Sequence, residues 1–258
     1  MMKLHPISTA KKILLDLGLE DPSAIDIEDL IVYHNGIVKE SPLKNCDGRL
    51  IMKNGRSIVT VNSDIEYPQK KRFVLAHELG HIILHADKDA SFTDDDSTIE
   101  AYKNGPQETE ANSFASELLM PEELFRSFCI KKKFTPDLIR LLSEKFNTSL
   151  TSAAYRFLEH GNHPICIFYS KNGKIQYWKK SEDLRYWIPD KNKLDVPVDS
   201  VANEYYRYKR IYRKEDSAQE IDKSTWFSLG KYDQDTPMYE YCIITPRYNS
   251  VLSIIWED

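Results

Sequence analysis

Apolar positions recur along this chain in two rhythms, a helical one over the first 160 residues and a strand-like one over much of the rest. Ser8 can cap a helix carrying Ile13, Leu14 and Leu17, and a second helix fits Ile27–Tyr33, stopping before Asn35-Gly36. Residues 49–53 and 57–61 are short β-rich runs flanking Asn54-Gly55, a strong hairpin signal. Residues 72–85 are apolar on nearly every side of a helix, so that helix is expected to be buried, and its polar members His77, Glu78, His81 and His85 need partners. An acidic, polar linker follows over residues 86–107, expected to be mobile and to border a cleft. Further helices are predicted over 108–120, closed by Pro121, over 136–146 and over 150–159. Beyond them, runs at 165–169 and 174–178 flank Asn172-Gly173, and runs at 239–244 and 251–256 form a last pair.

This order predicts an α+β protein with a boundary in residues 159–164, where Gly161 and Pro164 punctuate the end of a helix. The expected domains are 1–162, helices plus a small sheet, and 163–258, a strand-rich α+β domain of unassigned role. Composition narrows the class. With 258 residues, 41% hydrophobic, 29% charged and a net charge of −5, the chain reads as globular and offers no global basic field for nucleic acid. The apolar stretch at 13–19 is broken by Asp16 and Gly18, too short for a membrane span and without a signal-peptide cleavage site. Cys46, Cys129, Cys166 and Cys242 lie far apart with no CxxC pair, as expected of reduced thiols in a cytoplasmic protein.

The chemistry is concentrated in His77-Glu78-Leu79-Gly80-His81, an HExxH motif. On a helix, residues four apart sit one turn apart on one face, so two imidazoles can converge on one Zn²⁺. Glu78 lies about 100° round from His77, placed to act as a general base without ligating. A third ligand is needed, and His85, Glu108 and Glu110 are the candidates. His77 and His85 are separated by about 12 Å along a straight helix, which excludes a shared metal. On the next helix Glu108 lies on the face of Ala111, Ala115 and Leu119, whereas Glu110 and Glu117 fall on the other side and are expected to be solvated. Glu108 is therefore the expected third ligand, with Asn112 one turn on, placed to accept a hydrogen bond from a ligating histidine. Two His, one Glu and an open fourth position make a catalytic rather than a structural zinc site, although manganese or another divalent metal could fill it.

These residues resemble the ImmA/IrrE family of bacterial metallopeptidases. The likeness rests on Arg72-Phe-Val-Leu-Ala-His-Glu-Leu-Gly-His81, then on Glu108-Thr-Glu-Ala-Asn-Ser-Phe-Ala-Ser-Glu-Leu-Leu-Met-Pro121, and covers about residues 20–160. It implies a zincin-like fold with a helix-turn-helix-like tail at 136–159. In the family, the glutamate four positions before the Asn or Asp is a metal ligand, and that residue here is Glu108. The resemblance further implies a cytoplasmic endopeptidase that clips a helix-turn-helix repressor, relieving repression of mobile-element, phage or stress genes. On that reading the hairpin at 49–61 offers an edge strand that holds substrate in extended form.

The rival reading is a DNA- or RNA-binding regulator. Its basis is the helix pair at 136–159, whose second helix offers Arg156, and the segment 205–214, Tyr-Tyr-Arg-Tyr-Lys-Arg-Ile-Tyr-Arg-Lys, which interleaves aromatic and basic residues.

Overall fold

A computed structural model describes residues 4–44, 46–86, 90–95, 105–188 and 194–258. The architecture is α+β. By its contacts the chain divides into two compact units, Met1–Phe125 with Ser143–Ser149, and Arg126–Leu142 with Leu150–Asp258.

In the first unit, α1 (Pro6–Leu17) begins two residues before Ser8, because Pro6 supplies a preset φ at the first helical position. Helix α2 (Ile27–Tyr33) has the predicted bounds, and the Asp26 carboxylate accepts hydrogen bonds from the Glu28 and Asp29 N–H groups. A sheet follows, of β1 (Gly36–Ser41), β2 (Cys46–Lys53), β3 (Arg56–Asn62) and β4 (Ala90–Asp95), in the order β1-β3-β2-β4. The β2–β3 hairpin turns at Asn54 (φ 52°) and Gly55 (φ 68°), the left-handed pair that an Asn-Gly turn requires.

Two expectations change here. The hairpin is not an edge, since β3 pairs in parallel with β1 and β2 pairs antiparallel with β4. Nor is the linker wholly irregular, because Ala90–Asp95 is an edge strand. The expected mobility of residues 87–89 and 96–104 lies outside the described residues.

Helix α3 (Pro68–Leu84) starts a turn earlier than predicted, again on a proline, and is buried from Val74 to Ile82. It packs on β2 and β3 and on α4 (Pro106–Leu119). Two residues set its entry. The Arg72 guanidinium donates to the Ile25 and Pro22 carbonyls at 2.8 and 2.6 Å, and Lys70 pairs with buried Asp47 at 2.6 Å. Helix α1 covers α4, where Lys11 lies 4.0 Å from Glu117. Glu117 is buried and accepts from the Glu122 N–H, so it does not belong to a solvated face.

Residues 126–142 and 150–162, which the sequence reading grouped with the first domain, pack in the second unit. They supply the end of α5 (Glu122–Cys129), most of α6 (Pro136–Lys145) and α7 (Leu150–His160). The reason is aromatic. Phe134, buried, has its ring 4.8 Å from both Phe157 and Trp256, and the Asn162 amide donates to the Cys129 and Lys132 carbonyls. Arg156 is buried and 3.8 Å from Glu159, which removes it from any role in reading bases.

The second sheet holds β5 (Cys166–Lys171), β6 (Lys174–Lys180), β7 (Ala218–Asp222), β8 (Pro237–Thr245) and β9 (Ser250–Trp256) in the antiparallel order β6-β5-β9-β8-β7. Helix α8 (Val201–Tyr208) is fastened to it by Glu240, fully buried on β8. That carboxylate accepts from the Val201 and Ala202 N–H groups, Trp226 Nε1 and Ser253 Oγ at 2.7 to 3.2 Å. Burial raises its pKa, against those hydrogen bonds.

Two outcomes test this packing. A chain ending at Gly161 would strip Trp256 from Phe134 and should express as insoluble protein; a soluble, cooperatively melting fragment would contradict the aromatic argument. Glu240→Ala orphans several buried donors and should lower stability by about 3 kcal/mol or more in urea unfolding followed by tryptophan fluorescence; a loss under about 1 kcal/mol would show that the donors find other partners.

Candidate metal centre

The HExxH segment lies where α3 meets α4, and a glycine permits the approach. A Cβ on Gly80 would stand 3.1 Å from Ala111 Cα and 3.2 Å from the Ala111 carbonyl oxygen, tighter than an ordinary contact. Ala111 and Ala115 are fully buried on the facing side of α4, and Phe114 and Leu118 fill the space around them. The small-residue face predicted from the helical wheel is thus the packed face, and it brings Glu108 in at the first turn of α4.

There the three expected donors meet. Glu108 Oε2 lies 3.1 Å from His77 Nε2, Glu108 Oε1 lies 3.4 Å from His81 Nε2, and the two Nε2 atoms are 3.0 Å apart. All the donor atoms are within 4.8 Å of one another. His77 and His81 are buried, and the Glu108 side chain retains 13% exposure, which leaves one side of the cluster open. Burial pushes the Glu108 carboxyl up, but hydrogen bonds and charge from His77 and His81 outweigh it and hold the group at about 2.

Asn112 fixes the ring. Its Oδ1 accepts from His77 Nδ1 at 3.0 Å, which keeps a proton on Nδ1, so that when the proton shared between Nε2 and Glu108 leaves, Nε2 offers its lone pair to a cation. Two imidazole lone pairs and a carboxylate that converge on one point suit a divalent cation by their chemistry. Glu78, on the same turn as His77, is fully buried.

The excluded candidates sit beside this cluster. His85 closes α3, its ring 5.4 Å from that of His81 and its Nε2 3.9 Å from Glu110 Oε2. Glu110 is half-buried against His85 rather than solvated, and neither residue joins the three donors. That contact was missed because the wheel treats α4 alone, whereas Glu110 is buried by the end of α3.

Asn112→Ala should leave the fold intact and weaken divalent-metal affinity by about 10–100-fold, because the His77 ring loses its orientation. Gly80→Ala should weaken it too, by pushing Glu108 away from α3. Competition with a chromogenic chelator reads both, and unchanged affinity in either variant would contradict the corresponding argument.

The family model of the IrrE N-terminal-like domain, a peptidase family, matches residues 35–158. The radiation response metalloprotease IrrE of Deinococcus radiodurans is 27% identical over 172 residues, 65% of this chain and 52% of that protein. The protein of the same name from Deinococcus deserti is 31% identical over 108 residues, 42% of this chain and 38% of its own. This chain therefore spans about half the length of the first relative and less of the second. Among solved structures, a Mycobacterium tuberculosis transcriptional regulator shares the fold, with a TM-score of 0.62 at 12% identity, over 98% of this chain and 77% of that one. Among the described residues no helix is long and apolar enough to cross a membrane. Over residues 35–158, where the buried HExxH helix packs against the glutamate-bearing helix, the chain matches the peptidase family of the IrrE N-terminal-like domain.

Proposed function

We propose that this protein is a zinc-dependent endopeptidase that uses His77, His81 and Glu108 as metal ligands and Glu78 as the general base. The observation that carries the reading is the convergence of the two Nε2 atoms and the Glu108 carboxylate at 3.0 to 3.4 Å from one another. Donors about 2.0–2.1 Å from a tetrahedral zinc stand about 3.3 Å apart, so the cluster already has nearly the required spacing. The names of the relatives support the same reading, and manganese or another divalent metal could serve in its place.

Bound zinc would supply a Lewis acid for the scissile carbonyl and lower the pKa of a water at the open side. The residues divide the remaining work. Glu78 takes the proton from the attacking water on its carboxylate and delivers it to the leaving amide nitrogen. Asn112 keeps His77 in the ligating tautomer, and the apolar walls of α3 and α4 keep bulk water from the base. By the family resemblance the substrate is a helix-turn-helix repressor in the cytoplasm, cut in an extendable segment rather than a packed core. The catalytic residues all fall within the first unit, leaving the second for partner recognition or for sensing a signal.

Glu78→Gln should bind metal as the wild type does yet lose proteolysis by about 100-fold or more, since an amide cannot accept the proton. Glu108→Ala should lose the metal, whereas Glu110→Ala should keep it. Metal analysis of the purified variants, together with mass spectrometry of a repressor encoded beside this gene after incubation with wild type and Glu78→Gln, decides it. A metal-free Glu78→Gln would make Glu78 a ligand, and equal cleavage by both proteins would end the proposed role.

A further inference from the structure

The segment 205–214 is not the uniform aromatic ladder its sequence suggests. Tyr205 is buried in the second unit's core, Tyr206 OH bonds to Ser170 Oγ at 3.0 Å, and Tyr212 OH donates to Glu204 at 2.7 Å. Tyr208 alone of the four turns outward, with 69% exposure, at the end of α8. The packed tyrosines serve as anchors, and they hold the basic residues between them on the outside. Arg207, Lys209, Arg210 and Arg213 are all exposed.

Three chain segments meet at this point. Lys209 ends α8 in the left-handed region (φ 56°) and donates to Asn249 Oδ1 at 3.3 Å. Asn249, also left-handed (φ 47°), lies in the β8–β9 connection beside Arg247 and donates from Nδ2 to Asn172 Oδ1 at 3.0 Å. Asn172 (φ 52°) turns the β5–β6 hairpin between Lys171 and Lys174, and its N–H donates to the Asn249 carbonyl at 2.9 Å. Non-glycine residues adopt φ > 0 seldom, and here three are tied by hydrogen bonds into one node. The node carries basic side chains from all three segments. Their neutralisation is partial. Asp195 pairs with Lys174 at 2.8 Å and Glu204 with Arg210 at 3.2 Å, while Lys171, Arg207, Lys209 and Arg213 have no acidic partner among the described residues.

We infer that this end of the second sheet is a docking surface for single-stranded nucleic acid. The charge is local, on a chain whose net charge is −5, so it is not a by-product of a basic composition. Phosphates match the exposed Arg and Lys side chains, and Tyr208 gives a base one aromatic face on which to stack. An anionic membrane would also draw on the charges, and binding to vesicles is therefore compared directly with binding to the oligonucleotide. The inference does not rest on peptidase activity, and it moves the nucleic-acid-binding reading from the helix pair at 136–159, where Arg156 is buried, to the far end of the second sheet.

The experiment uses the full chain and a fluorescein-labelled oligothymidylate of about 20 nucleotides, read by fluorescence anisotropy at several salt concentrations. Binding is expected, with log K falling against log[salt] at a slope of about −3, for four phosphates at about −0.7 each. The triple reversal Lys171→Glu, Arg207→Glu and Arg213→Glu should weaken binding at least tenfold. The hairpin-turn pair Lys53→Glu and Arg56→Glu should change it less than twofold. Tyr208→Ala should weaken binding several-fold with the salt slope kept, because it removes stacking and no charge. Circular dichroism of each variant separates loss of binding from loss of fold. The inference is overturned by an absence of binding at about 50 mM salt, by an equal effect of the two charge reversals, or by a silent Tyr208→Ala. Tighter binding to phosphatidylserine vesicles than to the oligonucleotide would make the surface a membrane contact and overturn it as well.

Discussion

The closeness of α3 to α4 is the constraint on which the first unit depends. Helix axes commonly pack 8–10 Å apart, and the lower end of that range needs small residues at the crossing. Gly80 against Ala111 provides them. Because Gly80 lies between His77 and His81, the closest backbone approach and the metal donors share one turn of helix. A glutamate on α4 can then reach both imidazoles with a short side chain, and Asn112 can reach the back of His77 from the next turn. The sheet supports this from the other side, where β2 and β3 pack against α3 and the Lys70–Asp47 pair ties the helix entry to β2. Position and chemistry are therefore not separable in this motif. The residue that enforces the geometry is the one with no side chain.

The second unit solves a different problem. Its sheet must hold a short helix, α8, whose eight residues are too few to be stable alone. Glu240 does this by placing a carboxylate at the helix N-terminus, where N–H groups without a partner inside the helix and the helix dipole favour negative charge. Trp226, stacked on Phe168 at 4.2 Å, donates to the same carboxylate, so polar and aromatic anchoring coincide. With its start fixed, the helix delivers its end to the turns at Asn172 and Asn249.

Much of this was legible in the sequence. The donor set was readable because a helix periodicity of 3.6 converts spacing directly into facing, and α3 and α4 are each regular where it matters. The Asn-Gly hairpins were readable because left-handed φ values restrict the turn residues. What escaped depended on partners distant in sequence. β4 pairs with β2 across the whole of α3, and no local pattern in Ala-Ser-Phe-Thr-Asp-Asp announces that. The burial of Glu117 and Glu110 comes from α1 and from the end of α3, neither visible on a single helical wheel. The 126–142 segment reads as a continuation of the first domain, yet Phe134 finds its ring partners at Phe157 and Trp256, the latter over a hundred residues later.

The two-helix construction of the centre also gives a bound cation a mechanical role. His81 and Glu108 are separated by about 27 residues of chain, and a metal that holds both closes that span as a cross-link would, removing conformations from the unfolded ensemble. By mass action, free metal at about 100 times its dissociation constant would add about 2.7 kcal/mol to the folded state, a large share of the 5–15 kcal/mol typical of a domain. The lifetime of the protein in a cell would then follow the metal supply. Under starvation α3 and α4 would part more often, baring Phe114 and Leu118 to proteases, so that scarcity of the metal would lower the amount of the protein as well as its occupancy.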